Sequence, residues 1–209
     1  MDAAAAHNRR SLLHLLINLM ETLETRLNEV ARIAVRLDQE TGCPAQLLIA
    51  QWAIESKWGE KPVGHANYFG IKRAGRHTKW STVATQEFFT PAQLAAWNRQ
   101  HGSLAHVLAT LPDGRQRVEL EDEFADYDSL DASCQDYAWL ITHGEPYREA
   151  WQRYQQDKDI AELIGGIART YATAPRYAEL AEEIAIQPNV AKAVAEANSA
   201  PATAAWLPK

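Results

Sequence analysis

The sequence predicts a mainly helical α+β domain with a small antiparallel β-hairpin lobe, and three observations point there. Apolar residues recur at three- and four-residue steps over most of the chain, the period of helices that bury one face. One interval breaks that period. "KWSTVATQEFF" at 79–89 is β-prone, and after the Pro112-Asp113-Gly114 turn Val118, Leu120 and Phe124 fall at alternating positions. Finally, 209 residues with 46% hydrophobic and 23% charged match the length and composition of one globular domain with a real core.

In chain order, Leu12, Leu15, Leu16, Leu19, Leu23, Leu27, Val30, Ile33, Ala34 and Leu37 predict a long helix, or two, over 8–40. "TGCP" at 41–44 breaks it. Pro44 suits the first turn of a second helix, which runs to about Trp58 with Gly59 as its stop. The Gly- and Asn-containing stretch 60–78 reads as a structured loop. The β-prone segments 79–89 and 112–124 then pair. Between them, 90–111 reads as a helical insertion of one or two short helices, with Thr90 as N-cap and Pro91 at the first position.

Ser129 caps a further helix that Gly144 ends, and Pro146 opens the next. In the helix at 159–171 the Gly165-Gly166 pair predicts close packing, because a mid-helix glycine otherwise costs about 1 kcal/mol. The last helix expected is 174–186. Beyond Pro188 the Ala-rich chain shows no core face and is expected to fray. The expected organisation is an N-terminal helical extension at 1–43, a central domain at 44–186 and a flexible tail at 187–209.

Charge narrows the function classes. A net charge of −6 gives no bulk attraction to nucleic acid or an anionic membrane, so neither is expected as a partner. "SLLHLLINLM" at 11–20 is too short to span a bilayer, and no small-residue cleavage site follows, so it reads as part of an amphipathic helix. CxxC, HExxH and EF-hand patterns are missing and the seven His are scattered; neither a metal nor a cofactor is expected. Cys43 and Cys134 fit one disulfide or two buried thiols. Seven Trp and seven Tyr fit core packing or an aromatic ligand groove.

One residue stands out against this background. Glu55 lies inside the apolar run "PAQLLIAQWAIESKWG", on a helical stripe with Leu48, Gln51, Trp52 and Trp58. Two indoles and a leucine around a carboxyl withdraw water, disfavour its charged form and raise its pKa. A carboxylic acid kept protonated near neutral pH can give a proton to a leaving group, as lysozyme does with a glutamate against a tryptophan. The alternative is a surface glutamate at a helix end, paired with Lys57 or Lys61.

Three motifs in order decide between them: "IESKWG" at 54–59, "NYFGIK" at 67–72 and "YATAPRYA" at 171–178. They resemble the E-[ST]-x-W-G, N-x-F-G-I-K and Y-A-T-D-P-x-Y-A signatures of glycoside hydrolase family 73, the peptidoglycan N-acetylglucosaminidases of flagellar and autolysin type. "FADYDS" at 124–129 is similar to that family's exit from its β-hairpin. The resemblance covers about 44–186. It implies a lysozyme-like fold with a β lobe and hydrolysis of the β-1,4 bond after N-acetylglucosamine. Glu55 takes the place of the catalytic acid and Tyr171 that of a tyrosine near the sugar. Trp58, Asn67, Tyr68, Phe69, Tyr127 and Tyr177 fall on positions expected to line the cleft; the alternative for 67–69 is a turn whose aromatics plug the core, which holds at least in part for Phe69. "TQE" at 85–87 resembles the hairpin segment that ends in a cleft-facing glutamate, which makes Glu87 the candidate second carboxylate; Glu119, Glu121 and Glu123 read as a solvated edge. Ala174 departs from the family's Asp.

The resemblance implies peptidoglycan glycan strands as the partner and the cell wall or periplasm as the place of action. With no signal peptide legible, delivery by phage lysis, a secretion machine or flagellar-type export is expected, and an antibacterial effector would need an immunity protein. A muramidase or lytic transglycosylase on the same fold, and an inactive wall-binding scaffold, are the competing functions.

Overall fold

The computed structural model describes residues 3–102, 105–171 and 176–200, with side chains from residue 22 onward. Helix α1 (Ala3–Thr41) is one continuous helix, stopped where the Thr41 hydroxyl donates to the Leu37 carbonyl (2.6 Å) and Gly42 turns to positive φ. Its stripe of Leu27, Val30, Ala31, Ala34, Val35 and Leu37 is buried in the main core. This half of the helix is therefore part of the central domain, and the boundary expected at residue 43 falls between two helices of the same core. Helix α2 (Ala45–Glu55) follows, with Pro44 as its N-cap, just outside the first turn where it was expected. It buries Leu47, Leu48, Ile49, Gln51 and Trp52, as a helix apolar all round must. It ends at Glu55, short of Trp58.

The lobe is a three-stranded antiparallel sheet in the order β1-β3-β2, built from β1 (Trp80–Phe89), β2 (His106–Thr110) and β3 (Gln116–Ala125). β1 and β3 pair without a shift from Trp80↔Ala125 to Phe89↔Gln116. The insertion between them is half helix and half strand. Helix α3 (Pro91–His101) starts on a Thr90–Gln93 capping box and ends at left-handed Gly102. The rest, expected to be helical, is β2, which satisfies the otherwise open edge of β3. Ser103 and Leu104 lie outside the described residues. Leu94 of α3 closes a second small core with Val118 and Leu120. At the base of the sheet, Ile71–Arg73 takes over the edge of β3 that β2 leaves free: the Ala125 N–H donates to the Ile71 carbonyl (3.0 Å) and the Arg73 N–H to the Glu123 carbonyl (2.8 Å).

The main core is completed by α4 (Leu130–His143), α5 (Arg148–Asp157), α6 (Ile160–Tyr171), α7 (Tyr177–Ala185) and α8 (Pro188–Ser199). Ser129 caps α4 and Gly144 ends it, as expected. A Cβ on Gly166 would lie 2.4 Å from that of Ala150, so this glycine does mark the close approach of α5 and α6; Gly165 faces open space. The chain after Gln187 is not frayed. α8 buries Val190, Ala193 and Val194, and Lys192 pairs with Glu24 of α1 at 3.3 Å. Small side chains on a narrow stripe give a weak hydrophobic signal yet allow close helix contact. Residues 201–209 of the expected tail lie outside the described residues. Cys43 and Cys134 are buried free thiols. Among the described residues, no helix is long and apolar enough to cross a membrane.

Candidate active site

The site is built on the abrupt end of α2. Ser56 is buried; its hydroxyl donates to the Trp52 carbonyl (2.5 Å) and accepts from the Gly59 N–H (2.9 Å). Lys57, Trp58 and Gly59 then run consecutively at positive φ (51, 60 and 80°). Left-handed backbone costs a non-glycine residue about 1–2 kcal/mol, and strain of this kind gathers at functional sites. At Gly59 a Cβ would stand 2.6 Å from the Trp52 ring, so this position needs glycine for space as well as for φ. Trp58 is half-buried and meets Trp52 edge-on at 6.1 Å. It is therefore not a turn above Glu55 on the same helix. The motif E-S-K-W-G is a helix terminator that leaves Glu55 as the last helical residue.

Glu55 is half-buried, and its two oxygens face different groups. The Tyr177 hydroxyl donates to Oε1 at 2.6 Å. Oε2 lies on the Gly70 side, 3.8 Å from where a Cβ on that glycine would sit. Burial raises the Glu55 pKa above the ordinary 4.5, and the Tyr177 hydrogen bond offsets part of the rise. The partial negative charge at the C-terminus of α2 acts in the same sense as burial. Around the carboxyl stand aromatic rings: Tyr171 lies 6.5 Å from Tyr177, 6.2 Å from Tyr147 and 6.3 Å from Tyr137. Tyr147 and Tyr137 belong to none of the motifs, and sequence reasoning missed them. The phenol of Tyr147 is pushed up first by burial and then by the charge of Glu55.

The loop after α2 holds the other expected residues, and two of them cannot line a cleft. Asn67 and Phe69 are fully buried. Asn67 Nδ2 donates to the carbonyls of Ile71 (2.8 Å) and Ala125 (2.9 Å), and its Oδ1 accepts from the N–H groups of Phe69 (3.3 Å) and Ile71 (3.0 Å). That uses the full capacity of an amide side chain. Phe69 stacks on Tyr137 at 4.3 Å. The Tyr171 hydroxyl donates to the Phe69 carbonyl, so Tyr171 ties this same loop to α6 and directs no oxygen at Glu55. Tyr68 is half-buried, its N–H on Ser133 Oγ (3.1 Å). Tyr127 donates to Asp136 (2.5 Å), which also takes Arg76 and His77, and it lines a surface pocket of about 480 Å³ with His65, Trp80 and Asp128. Ala174 lies outside the described residues.

Glu87 sits on the inward face of β1, as strand alternation predicts. Lys72 Nζ lies 3.0 Å from Glu87 and 2.7 Å from Asp122. Glu119 and Glu121 point to solvent, and Glu123 pairs with Arg73 at 2.7 Å. One loop thus runs by both carboxyl groups, with Gly70 on the Oε2 side of Glu55 and Lys72, two residues on, paired with Glu87. Among the described residues, no group of three or more His, Cys, Asp or Glu side chains could hold a metal ion.

A helical body, a β lobe beside it and a glutamate withdrawn from water at their junction are the parts of a glycosidase of lysozyme-like fold. Residues 31–189 match the model of the glucosaminidase family, described as mannosyl-glycoprotein endo-beta-N-acetylglucosaminidase, and the chain belongs to that family of glycoside hydrolases. The peptidoglycan hydrolase FlgJ of Pseudomonas aeruginosa is 26% identical over 181 residues, covering 81% of this chain and 38% of that protein. FlgJ of Vibrio cholerae is 30% identical over 161 residues, covering 74% and 40%. The chain spans only about two fifths of the length of these relatives. The catalytic domain of the autolysin Auto from Listeria monocytogenes superimposes with a TM-score of 0.58 at 20% identity, over 82% of this chain and 86% of that one. A peptidoglycan hydrolase from Sphingomonas sp. A1 gives 0.57 at 20% identity, over 85% and 96%. These two share its fold.

Proposed function

We propose that this chain hydrolyses the β-1,4 bond after N-acetylglucosamine in peptidoglycan glycan strands, with Glu55 as general acid and Glu87 as second carboxylate. Family membership and the names of its relatives support the substrate. The observation that carries the acid role is the unequal setting of the two Glu55 oxygens. Oε1 accepts from Tyr177 (2.6 Å), so the proton of the neutral acid belongs on Oε2, on the Gly70 side. Partial withdrawal from water keeps that proton in place to a higher pH than an exposed glutamate would.

On this reading the steps are as follows. The Oε2 proton passes to the glycosidic oxygen as the bond to the anomeric carbon breaks, and the departing sugar leaves with a free hydroxyl. A water attacks the anomeric carbon and gives its proton to Glu87, leaving a new reducing end on N-acetylglucosamine. Glu55 regains its proton from solvent and Glu87 loses its own. Tyr177 and Tyr147 are themselves buried, so these rings act on the reaction by keeping water from the Glu55 carboxyl. The place of action on this reading is the cell wall, reached by lysis, secretion or flagellar-type export. A neutralising partner in the producing cell would accompany use against other bacteria. Glu55→Gln keeps the shape and has no acidic proton, so clearing of purified cell walls in a zymogram should fall by about 10²–10⁴-fold. Full clearing by the folded variant would remove Glu55 from the acid role.

A further inference from the structure

The Lys72 ammonium lies between two carboxylates that come from different strands. It is 3.0 Å from Glu87 of β1 and 2.7 Å from Asp122 of β3. The register puts all three on one face of the lobe. Residues opposite one another across antiparallel strands share a face. Val83 opposes Asp122, Glu87 opposes Val118, and Lys72 opposes Phe124 from the other edge of β3. Asp122 has 15% of its side chain exposed and Glu87 has 27%, so the less accessible carboxylate holds the cation and the more accessible one is held by it. Burial disfavours the ammonium, and the hydrogen bond it donates to Asp122 together with its interactions with Glu87 more than offset this.

We propose that Lys72 and Asp122 are positioning residues for Glu87: Asp122 anchors the ammonium, and the ammonium fixes the Glu87 carboxylate on the face of the lobe that the Gly70–Lys72 segment joins to Glu55. This rests on the reading of Glu87 as the second carboxylate. Glu87 is a flexible side chain on a lobe attached to the helical body by loops, and a base must be held in place to meet its water. The ion pair supplies that restraint from the loop segment next to Glu55. Asp122 has a distinct part. Without it the long Lys72 side chain keeps only one carboxylate and is freer to follow Glu87 toward solvent.

The test is steady-state kinetics on solubilised glycan strands, with melting temperature measured on every variant. Lys72→Met should lower kcat about tenfold with KM and melting temperature nearly unchanged, and Lys72→Arg, which can still span both carboxylates, should restore most of it. Asp122→Asn should lower kcat by a smaller factor. In a Glu87→Gln background, Lys72→Met should cause no further loss, because the restraint then has nothing to hold. If Glu87→Gln is inactive while Lys72→Met keeps full kcat, or if the two losses multiply, the positioning role is wrong and the reading of Glu87 survives. If Glu87→Gln retains full activity, both fall together.

Discussion

At the scale of single residues, the site depends on how Tyr177 and burial divide control of Glu55. The hydroxyl of Tyr177 favours the ionised carboxylate and burial favours the neutral acid, with burial the larger effect. Tyr177→Phe removes the opposing influence. The pKa of Glu55 should rise further, and the alkaline limb of the kcat/KM profile should move to higher pH. A limb that stays in place or moves down would contradict the contact. The same imbalance has a signature in stability. A group whose folded pKa is raised contributes fully below its ordinary value, here 4.5, and that contribution is lost as pH rises through the folded value. Glu55→Gln should therefore gain melting temperature relative to the wild type as the pH is raised above 4.5; a constant difference between pH 4 and 8 would show that Glu55 is not desolvated. Glu55 was legible in the sequence because a charge inside an apolar helix is conspicuous. Tyr147 was not, since its neighbours at 144–148 carry no signature and only the fold brings it to Tyr171.

At the scale of elements, the decisive piece is the loop between α2 and β1. Its residues were recognisable by motif, and the expectation that Phe69 partly plugs the core understates how far the loop is structural. Asn67 was expected at the cleft and Phe69 partly there and partly in the core, and both are buried supports. A motif records that a residue is needed and leaves open whether it faces substrate or backbone; four hydrogen bonds from one amide are visible only in three dimensions. Asn67→Ala should cost about 2–4 kcal/mol, because several buried backbone groups lose their partners at once. Tyr171→Phe should lower melting temperature and activity together, since the Phe69 carbonyl loses its donor and the loop holding Gly70 loosens. Loss of activity with an unchanged melting temperature would instead place the Tyr171 hydroxyl at the substrate. The pairing of β1 with β3 was readable from alternation. β2 was not, because a five-residue edge strand draws its stability from its partner and carries little pattern of its own.

At the scale of the whole molecule, the helical body with a β lobe was legible in outline and its limits were not. Both errors came from helices whose partners lie far away in sequence. The apolar stripe of α1 said that something covers it, without saying that α2, α4 and α8 do so. The Ala-rich segment after Pro188 gave no strong stripe, yet it buries Val190, Ala193 and Val194. Ending the chain at Gln187 should cost about 3–6 kcal/mol from the two valines alone. It should lower the melting temperature of the entire domain in one transition, because the removed helix packs on the same core as α2. A melting curve identical to that of the full chain would return the segment to the status of a tail.

Glu55 is proposed to protonate the glycosidic oxygen of a bond following N-acetylglucosamine. The most direct measurement is the identity of the new chain ends when purified peptidoglycan is digested, reduced and analysed by mass, with wild type and Glu55→Gln side by side. The wild type should give reducing ends on N-acetylglucosamine and the folded variant almost none. Reducing or 1,6-anhydro ends on muramic acid, or equal release by both proteins, would contradict that role.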